Sequence, residues 1–82
     1  MIFAEVTMVE VAPGITADPS VRFGKPVIRG TRVPADILVA RVASGMEIRK
    51  VAEEYDVKEA DVYNALHYAA RRLAEEQIWV IT

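Results

Sequence analysis

Apolar residues recur at helical spacing through residues 34–76, and this pattern predicts three helices. Pro34 suits the first turn of the first helix, and Gly45 is placed to end it. The third helix is predicted to run to about Glu76. The apolar stripes of the three helices are Ile37, Leu38, Val42 and Ala43; Ile48, Val51, Ala52 and Tyr55; and Val62, Ala65, Leu66, Ala69 and Leu73. Because the connection at residues 56–58 is tight, the sequence predicts a trihelical helix-turn-helix.

Both ends of the chain have the pattern of strands. Residues 3–11 alternate incompletely between apolar and polar and are rich in Val, Phe, Thr and Met, which predicts a strand that Pro13 and Gly14 end. The apolar run at residues 78–81 predicts a short terminal strand. We therefore expect a mainly α protein of one domain over residues 1–82, with a strand and β-hairpin region at 1–33, three helices at 34–76 and a terminal strand at 77–82.

Residues 23–34, FGKPVIRGTRVP, concentrate the polar chemistry of the chain. Glycines and prolines alternate there with short apolar pieces, which predicts a hairpin or sharp turn that displays cations. The candidate residues for binding a partner protein or a nucleic acid are Arg22, Lys25, Arg29, Thr31, Arg32, Arg49 and Lys50. The alternative is that Arg29, Thr31 and Arg32 only stabilise the hairpin against the first helix.

The formal net charge of −2 conceals a basic middle section. Residues 20–50 hold seven Lys or Arg residues and two acids, a local balance of +5, whereas residues 51–82 have a balance of −4. A basic section between acidic ends favours an anionic partner or a protein with acidic patches. The alternative is a solvated surface whose charge is merely uneven.

The apolar content is high for a chain of this size. Apolar residues make up 52% of 82 residues, and a domain this small buries a limited share of its surface. We therefore expect a homodimer in which the N-terminal and C-terminal strands pair, unless a partner protein takes the same surface. The predicted interface residues are Phe3, Ile78, Trp79, Val80 and Ile81.

Several functions find no support in the sequence. The chain has no cysteine, which excludes disulfides and thiolate metal sites, and it has no apolar stretch of membrane-spanning length. A start that carries Glu5 and Glu10 is a poor signal peptide, so a cytoplasmic location is expected. Turn and helix-start roles explain Asp18 and Asp36, and His67 has no obvious catalytic partner. We predict no enzymatic activity, no cofactor and no metal.

The segment VRFGKPVIRGTRV at residues 21–33 resembles the motif of a bacterial and archaeal family, the domain-of-unknown-function family numbered 433. The resemblance begins at Ile15 and extends to DVYNALHYA at residues 61–69. The chain departs from it at Met46 and Lys58, where the family usually places Ser or Thr and where neither side chain can act as an N-cap. The resemblance implies a homeodomain-like helix-turn-helix fold and the role of antitoxin in a toxin–antitoxin pair, often beside a PIN-like ribonuclease.

The patterns favour a non-enzymatic interaction protein. With the resemblance, they lead us to expect an antitoxin that neutralises a PIN-like ribonuclease toxin and autoregulates its operon. Arg29 and Arg32 are then the candidates to pair with the acidic site of the toxin. The alternatives are a stand-alone DNA-binding transcriptional regulator and a plain structural subunit. If the third helix reads DNA, Asn64 is its best candidate, although Glu59 and Asp61 would repel phosphates at that end.

Overall fold

A computed structural model describes residues 8–78 of the chain. Its elements are β1 (Val9–Ala12), β2 (Ile15–Ala17), a 3-10 turn (Arg22–Gly24), β3 (Val27–Ile28), α1 (Ala35–Ala43), α2 (Ile48–Tyr55) and α3 (Glu59–Glu75). Together they form a small α+β fold, with a three-stranded antiparallel sheet in the order β1-β2-β3 and three helices. The predictions of three helices and of a β region before them are confirmed. Among the residues described, no helix combines the length and the apolar content needed to cross a bilayer.

The sheet begins with a hairpin between β1 and β2. Its turn is at Pro13 and Gly14, as predicted, and Gly14 adopts a left-handed conformation with a φ of 73°. Ala12 pairs with Ile15 beside this turn, and the register shifts between Glu10 and Ala12. The predicted strand at residues 3–11 is therefore seen from Val9 onward and extends to Ala12, while residues 3–7 lie outside the described part.

A second sharp turn connects β3 to α1. The Thr31 hydroxyl donates to the Ile28 carbonyl over 2.8 Å and accepts the Val33 N–H over 3.0 Å. The Ile28 N–H donates to the Val33 carbonyl, and Val27 pairs with Pro34 in an isolated bridge. The hairpin expected within residues 23–34 is thus present from Val27 to Pro34, and the Thr31 side chain closes it.

The core lies between the sheet and the helices. In the described part, the largest fully buried side chains come one from each of five elements, β2, β3, α1, α2 and α3: Ile15, Ile28, Leu38, Val51 and Val62. Leu73, which the predicted stripe of α3 includes, is instead 64% exposed. It belongs to the part of α3 that continues beyond the buried positions Val62 and Ala65.

Particular residues determine where the helices begin and end. Gly45 follows α1 with a φ of 100°, and Asp56 ends α2 in the left-handed region with a φ of 54°. At the start of α3 the Lys58 N–H donates to the Asp61 carboxylate over 2.9 Å. Asp61 thus supplies the half of a capping box that bonds back to the N-cap N–H, while the Lys58 side chain has no acceptor to supply the other half. The predicted strand at 77–82 falls mostly on residues 79–82, which lie outside the described part. Ile78 is described and forms no strand.

Replacing Gly14 by Ala should destabilise the fold more than replacing Gly30 by Ala. Both glycines have a positive φ, so each substitution introduces backbone strain of about 1–2 kcal/mol. A Cβ at Gly14 would also come within 2.5 Å of the Asn64 Nδ2 atom, whereas nothing lies within 4 Å at Gly30. Chemical denaturation measures the difference. Adding Asn64→Ala should bring Gly14→Ala back to the level of Gly30→Ala, and equal effects of the two single variants would contradict the packing of Asn64 on this turn.

Candidate functional site

The chain between β2 and β3 folds into a tight corner that Asp18 holds. Its carbonyl accepts the N–H groups of Val21 over 2.9 Å and of Gly24 over 3.1 Å. Its carboxylate Oδ1 accepts the Ser20 hydroxyl over 2.7 Å and the Ser20 N–H over 2.8 Å. These two bonds from Ser20 stabilise the charged form and lower the pKa of the Asp18 carboxyl. Asp18 therefore has the turn-forming role predicted for it.

Two residues of this corner have an unfavourable backbone conformation. Arg22 and Phe23 both lie in the left-handed region, with φ values of 52° and 58°, directly before Gly24. A left-handed conformation costs about 1–2 kcal/mol for a residue other than glycine. Such strain persists where surrounding bonds hold the chain in place, and it concentrates at functional sites. Here the bonds to Asp18 on either side of Arg22 and Phe23 provide that hold.

The left-handed backbone of the corner displays the Phe23 ring among cationic side chains. The Phe23 side chain is fully exposed, at 101% relative accessibility. It lines a shallow concavity of about 530 Å³ together with Arg22, Lys25 and Arg32. We call these four residues the basic corner. Lys25 is paired through its Nζ atom with the Asp36 carboxylate at 2.8 Å, while neither arginine has an ion pair within residues 8–78.

The other predicted binding residues are engaged within the described chain. Arg29 pairs with Glu10 of β1, which ties the second turn to the edge strand. Arg49 lies 3.6 Å from the Glu53 carboxylate, and Lys50 lies 3.9 Å from the same residue. These exposed pairs contribute little to stability, so the cations stay accessible to a partner. Their predicted role in binding stays a prediction, but Arg49 and Lys50 lie on α2 and do not line the concavity of the basic corner.

Of the predicted interface residues, Ile78 is 86% exposed. Phe3, Trp79, Val80 and Ile81 lie outside the described residues. In the described part, no group of three or more His, Cys, Asp or Glu side chains is placed to hold a metal ion.

A model of a family of proteins of unknown function, DUF433, matches residues 15–69. The chain belongs to the DUF433 family. The matched region contains the whole basic corner, the second turn, α1, α2 and most of α3. A search of curated protein sequences found no match to this DUF433 chain.

The fold of this DUF433 protein is similar to a crystal structure of Rv2018 from Mycobacterium tuberculosis. The TM-score is 0.67 and the sequence identity is 25%. The similarity covers 79% of the DUF433 chain and 34% of the Rv2018 chain, so the chain spans about a third of that protein. Rv2018 therefore contains one region with this architecture and a larger part without a counterpart here.

Sequence reasoning did not single out Phe23, which the structure places in the basic corner of the DUF433 chain. The FG pair inside the matched motif gives no local sign that the residue before the glycine is also left-handed. An aromatic residue between cations, just after a D-P turn, is the signal that would have singled it out. The structure adds what the pattern lacks, namely the full exposure of the ring.

Replacing Phe23 by Asn should preserve or raise stability. The exposed ring makes no packing contact that could be lost, and Asn adopts left-handed backbone more readily than Phe. Phe23→Val should instead lower the free energy of unfolding by about 1–2 kcal/mol, because a β-branched side chain is disfavoured in that region. Chemical denaturation of both variants tests this. Equal stability of the Asn and Val variants would show that residue 23 is not held in the left-handed region.

Replacing Ser20 by Ala should raise the pKa of the Asp18 carboxyl toward its ordinary value. In the native protein this pKa is lowered, so the stabilisation is present above the unfolded-state pKa and is lost as the pH falls through the folded-state pKa. The variant should therefore differ from the native chain in stability at neutral pH and resemble it in strong acid. An NMR titration of the Asp18 carboxyl and denaturation at both pH values measure these effects. An unchanged pKa would show that the hydroxyl does not stabilise the carboxylate.

Proposed function

We propose that this chain is a non-enzymatic interaction protein, an antitoxin that binds and neutralises a PIN-like ribonuclease toxin and autoregulates its operon together with that toxin. The observation that carries the proposal is the basic corner. It presents an exposed aromatic ring beside two guanidinium groups that have no ion pair in the described chain. Aromatic and arginine side chains are the residue types that dominate binding energy at protein interfaces.

The chemistry of the corner suits an acidic protein partner. A guanidinium group pairs with carboxylates in bidentate geometry, which is the contact that a site rich in Asp and Glu would offer. Because hydrogen bonds to Asp18 already fix the corner, binding would order little additional chain. The sequence suggested Arg29 and Arg32 as the arginines that reach the toxin. Because Arg29 is paired with Glu10, and Arg22 lines the concavity with Arg32 and Phe23, we propose Arg22 and Arg32 for this role instead.

We also propose that the three helices form a homeodomain-like helix-turn-helix, with α2 and α3 as its two consecutive helices. The short connection at residues 56–58 supports this assignment. In a DNA reader of this type, α3 would face the bases. Asn64, the best candidate on α3 for a base contact, lies against Gly14 of the β1–β2 turn. The first turn of α3 also carries Glu59 and Asp61, which would repel phosphates. The helices are therefore better suited as a scaffold for protein binding than as a stand-alone regulator that reads DNA.

Replacing Arg22 and Arg32 together by Ala should weaken binding of the toxin by about 10- to 100-fold, the effect of removing interface arginines. The test begins with the reading frames beside this chain's gene, where we expect a PIN-like ribonuclease. Affinity for that protein is then measured by calorimetry, and its inhibition by RNA cleavage. The matched control is Arg49→Ala with Lys50→Ala, which removes the same charge from α2 outside the corner. Both variants should keep the helical circular dichroism signal.

Two outcomes would contradict the proposal. One is full ribonuclease activity in the presence of excess native chain, or the lack of any such neighbouring gene. The other is an equal loss of affinity in the corner variant and the control variant, which would show that total charge, and not the basic corner, determines binding.

A further inference from the structure

A second surface of the chain is apolar and open. It is the groove between α1 and α3, with a volume of about 490 Å³. Its apolar lining includes Val39, Ala40, Ala65, Tyr68, Ala69 and Leu73. Along α3 it extends from Ala65 to Leu73, about 12 Å at the rise of an α-helix. Phe23 and Arg32 of the basic corner do not line it.

The groove combines a recess and a projection on one face. The recess forms where the two helices present small side chains, Ala40 on α1 and Ala65 and Ala69 on α3. The projection is Leu73, one turn beyond Ala69, whose side chain is 64% exposed. A large apolar side chain beside an apolar recess is a patch of the kind that marks an interaction surface.

The rim of the groove carries both signs of charge. Asp36 lies on α1 and Arg72 on α3. Within the chain, Asp36 pairs with Lys25 at 2.8 Å and Arg72 pairs with Glu75 at 3.3 Å, and all four side chains are about half exposed or more. Exposed pairs of this kind exchange partners at small cost. The face can therefore meet a surface that offers the same two charges in the opposite order.

These properties suit a second copy of the same chain as the partner. A two-fold interface uses one patch on both subunits, so the patch must contain a projection and its recess, and a charge and its counter-charge. We propose that the groove between α1 and α3 is the interface of a homodimer, in which Leu73 of each copy occupies the alanine-lined recess of the other. Asp36 and Arg72 then pair across the interface. The proposal does not depend on the antitoxin function, because neither Leu73 nor the alanine-lined recess belongs to the basic corner, although Lys25 lines both surfaces.

This dimer differs from the one predicted from the terminal strands. That prediction relies on residues 3–11 and 78–81, and most of its residues lie outside the described part. The groove proposal relies on residues that lie within the described part, namely Asp36, Arg72, Leu73 and the three alanines of the recess. The two arrangements give opposite results when either surface is altered, so one experiment separates them.

The experiment is sedimentation velocity of the full chain over a wide concentration range. The native chain should be dimeric, and Leu73→Glu should raise the dimer dissociation constant at least about tenfold, because a carboxylate would enter an apolar recess. Leu73→Met, which keeps an apolar projection, should stay dimeric. Tyr63→Glu is the matched control, since Tyr63 is half exposed on α3 and does not line the groove. Circular dichroism confirms that each variant is folded.

Three results would overturn the proposal. The first is a native chain that stays monomeric at all concentrations. The second is a folded Leu73→Glu variant as dimeric as the native chain. The third is dissociation caused by deleting residues 78–82 but not by Leu73→Glu, which would assign the interface to the terminal segment. In the full-length chain, fluorescence of Trp79, the single tryptophan, over the same concentration range gives an independent readout of whether the terminal segment is buried on association.

Discussion

The fold depends on the burial of Ile28 and on the hydrogen bonds that surround it. Its side chain is 1% exposed at the junction of the sheet with the helices. Its N–H donates to the Val33 carbonyl, and its carbonyl accepts both the N–H and the hydroxyl of Thr31. One apolar residue thus fixes β3 in the core and closes the turn that leads into α1. Because backbone groups buried without partners are costly, this turn has little freedom to rearrange.

The same constraint explains how a strained corner survives in a small domain. β3 fixes the far end of the corner, and the antiparallel pairing of β2 with β3 fixes its near end. Between them, the bonds to Asp18 hold Arg22 and Phe23 in left-handed backbone. A domain of 82 residues has a stability of only several kcal/mol, so strain of about 1–2 kcal/mol at each residue is a substantial fraction of it. A feature that costly, with its ring exposed, supports the proposed binding role of the basic corner.

The helices were predictable and the two candidate surfaces were not. The limits of α2 follow from Ile48, Val51, Ala52 and Tyr55, because helical periodicity is a local property that a single sequence carries. The positive φ of Phe23 cannot be predicted from its neighbours in the sequence alone. It depends on the hydrogen bonds that Val21 and Gly24 donate to the Asp18 carbonyl across the corner. The exposure of Leu73 likewise depends on how far the rest of the fold extends along α3. The predicted binding set centres on the turn and stays a prediction. A list of cations could not separate Arg29, which pairs with Glu10, from Arg22 and Arg32, which have no ion pair in the described chain.

The two surfaces meet at Lys25. This residue lines both the basic corner and the groove, and its ammonium group pairs with Asp36 on the groove rim. Its N–H donates to the Arg22 carbonyl, and the carbonyl of the next residue, Pro26, accepts the first N–H of α1 from Ala35. A short segment with one hydrogen bond at each of its two residues therefore connects the start of α1 to the strained backbone that displays Phe23. If Asp36 exchanged Lys25 for an arginine across a dimer interface, the released ammonium would add a third unpaired cation to the basic corner. Association through the groove would then strengthen the positive potential around Phe23 without any movement of the backbone.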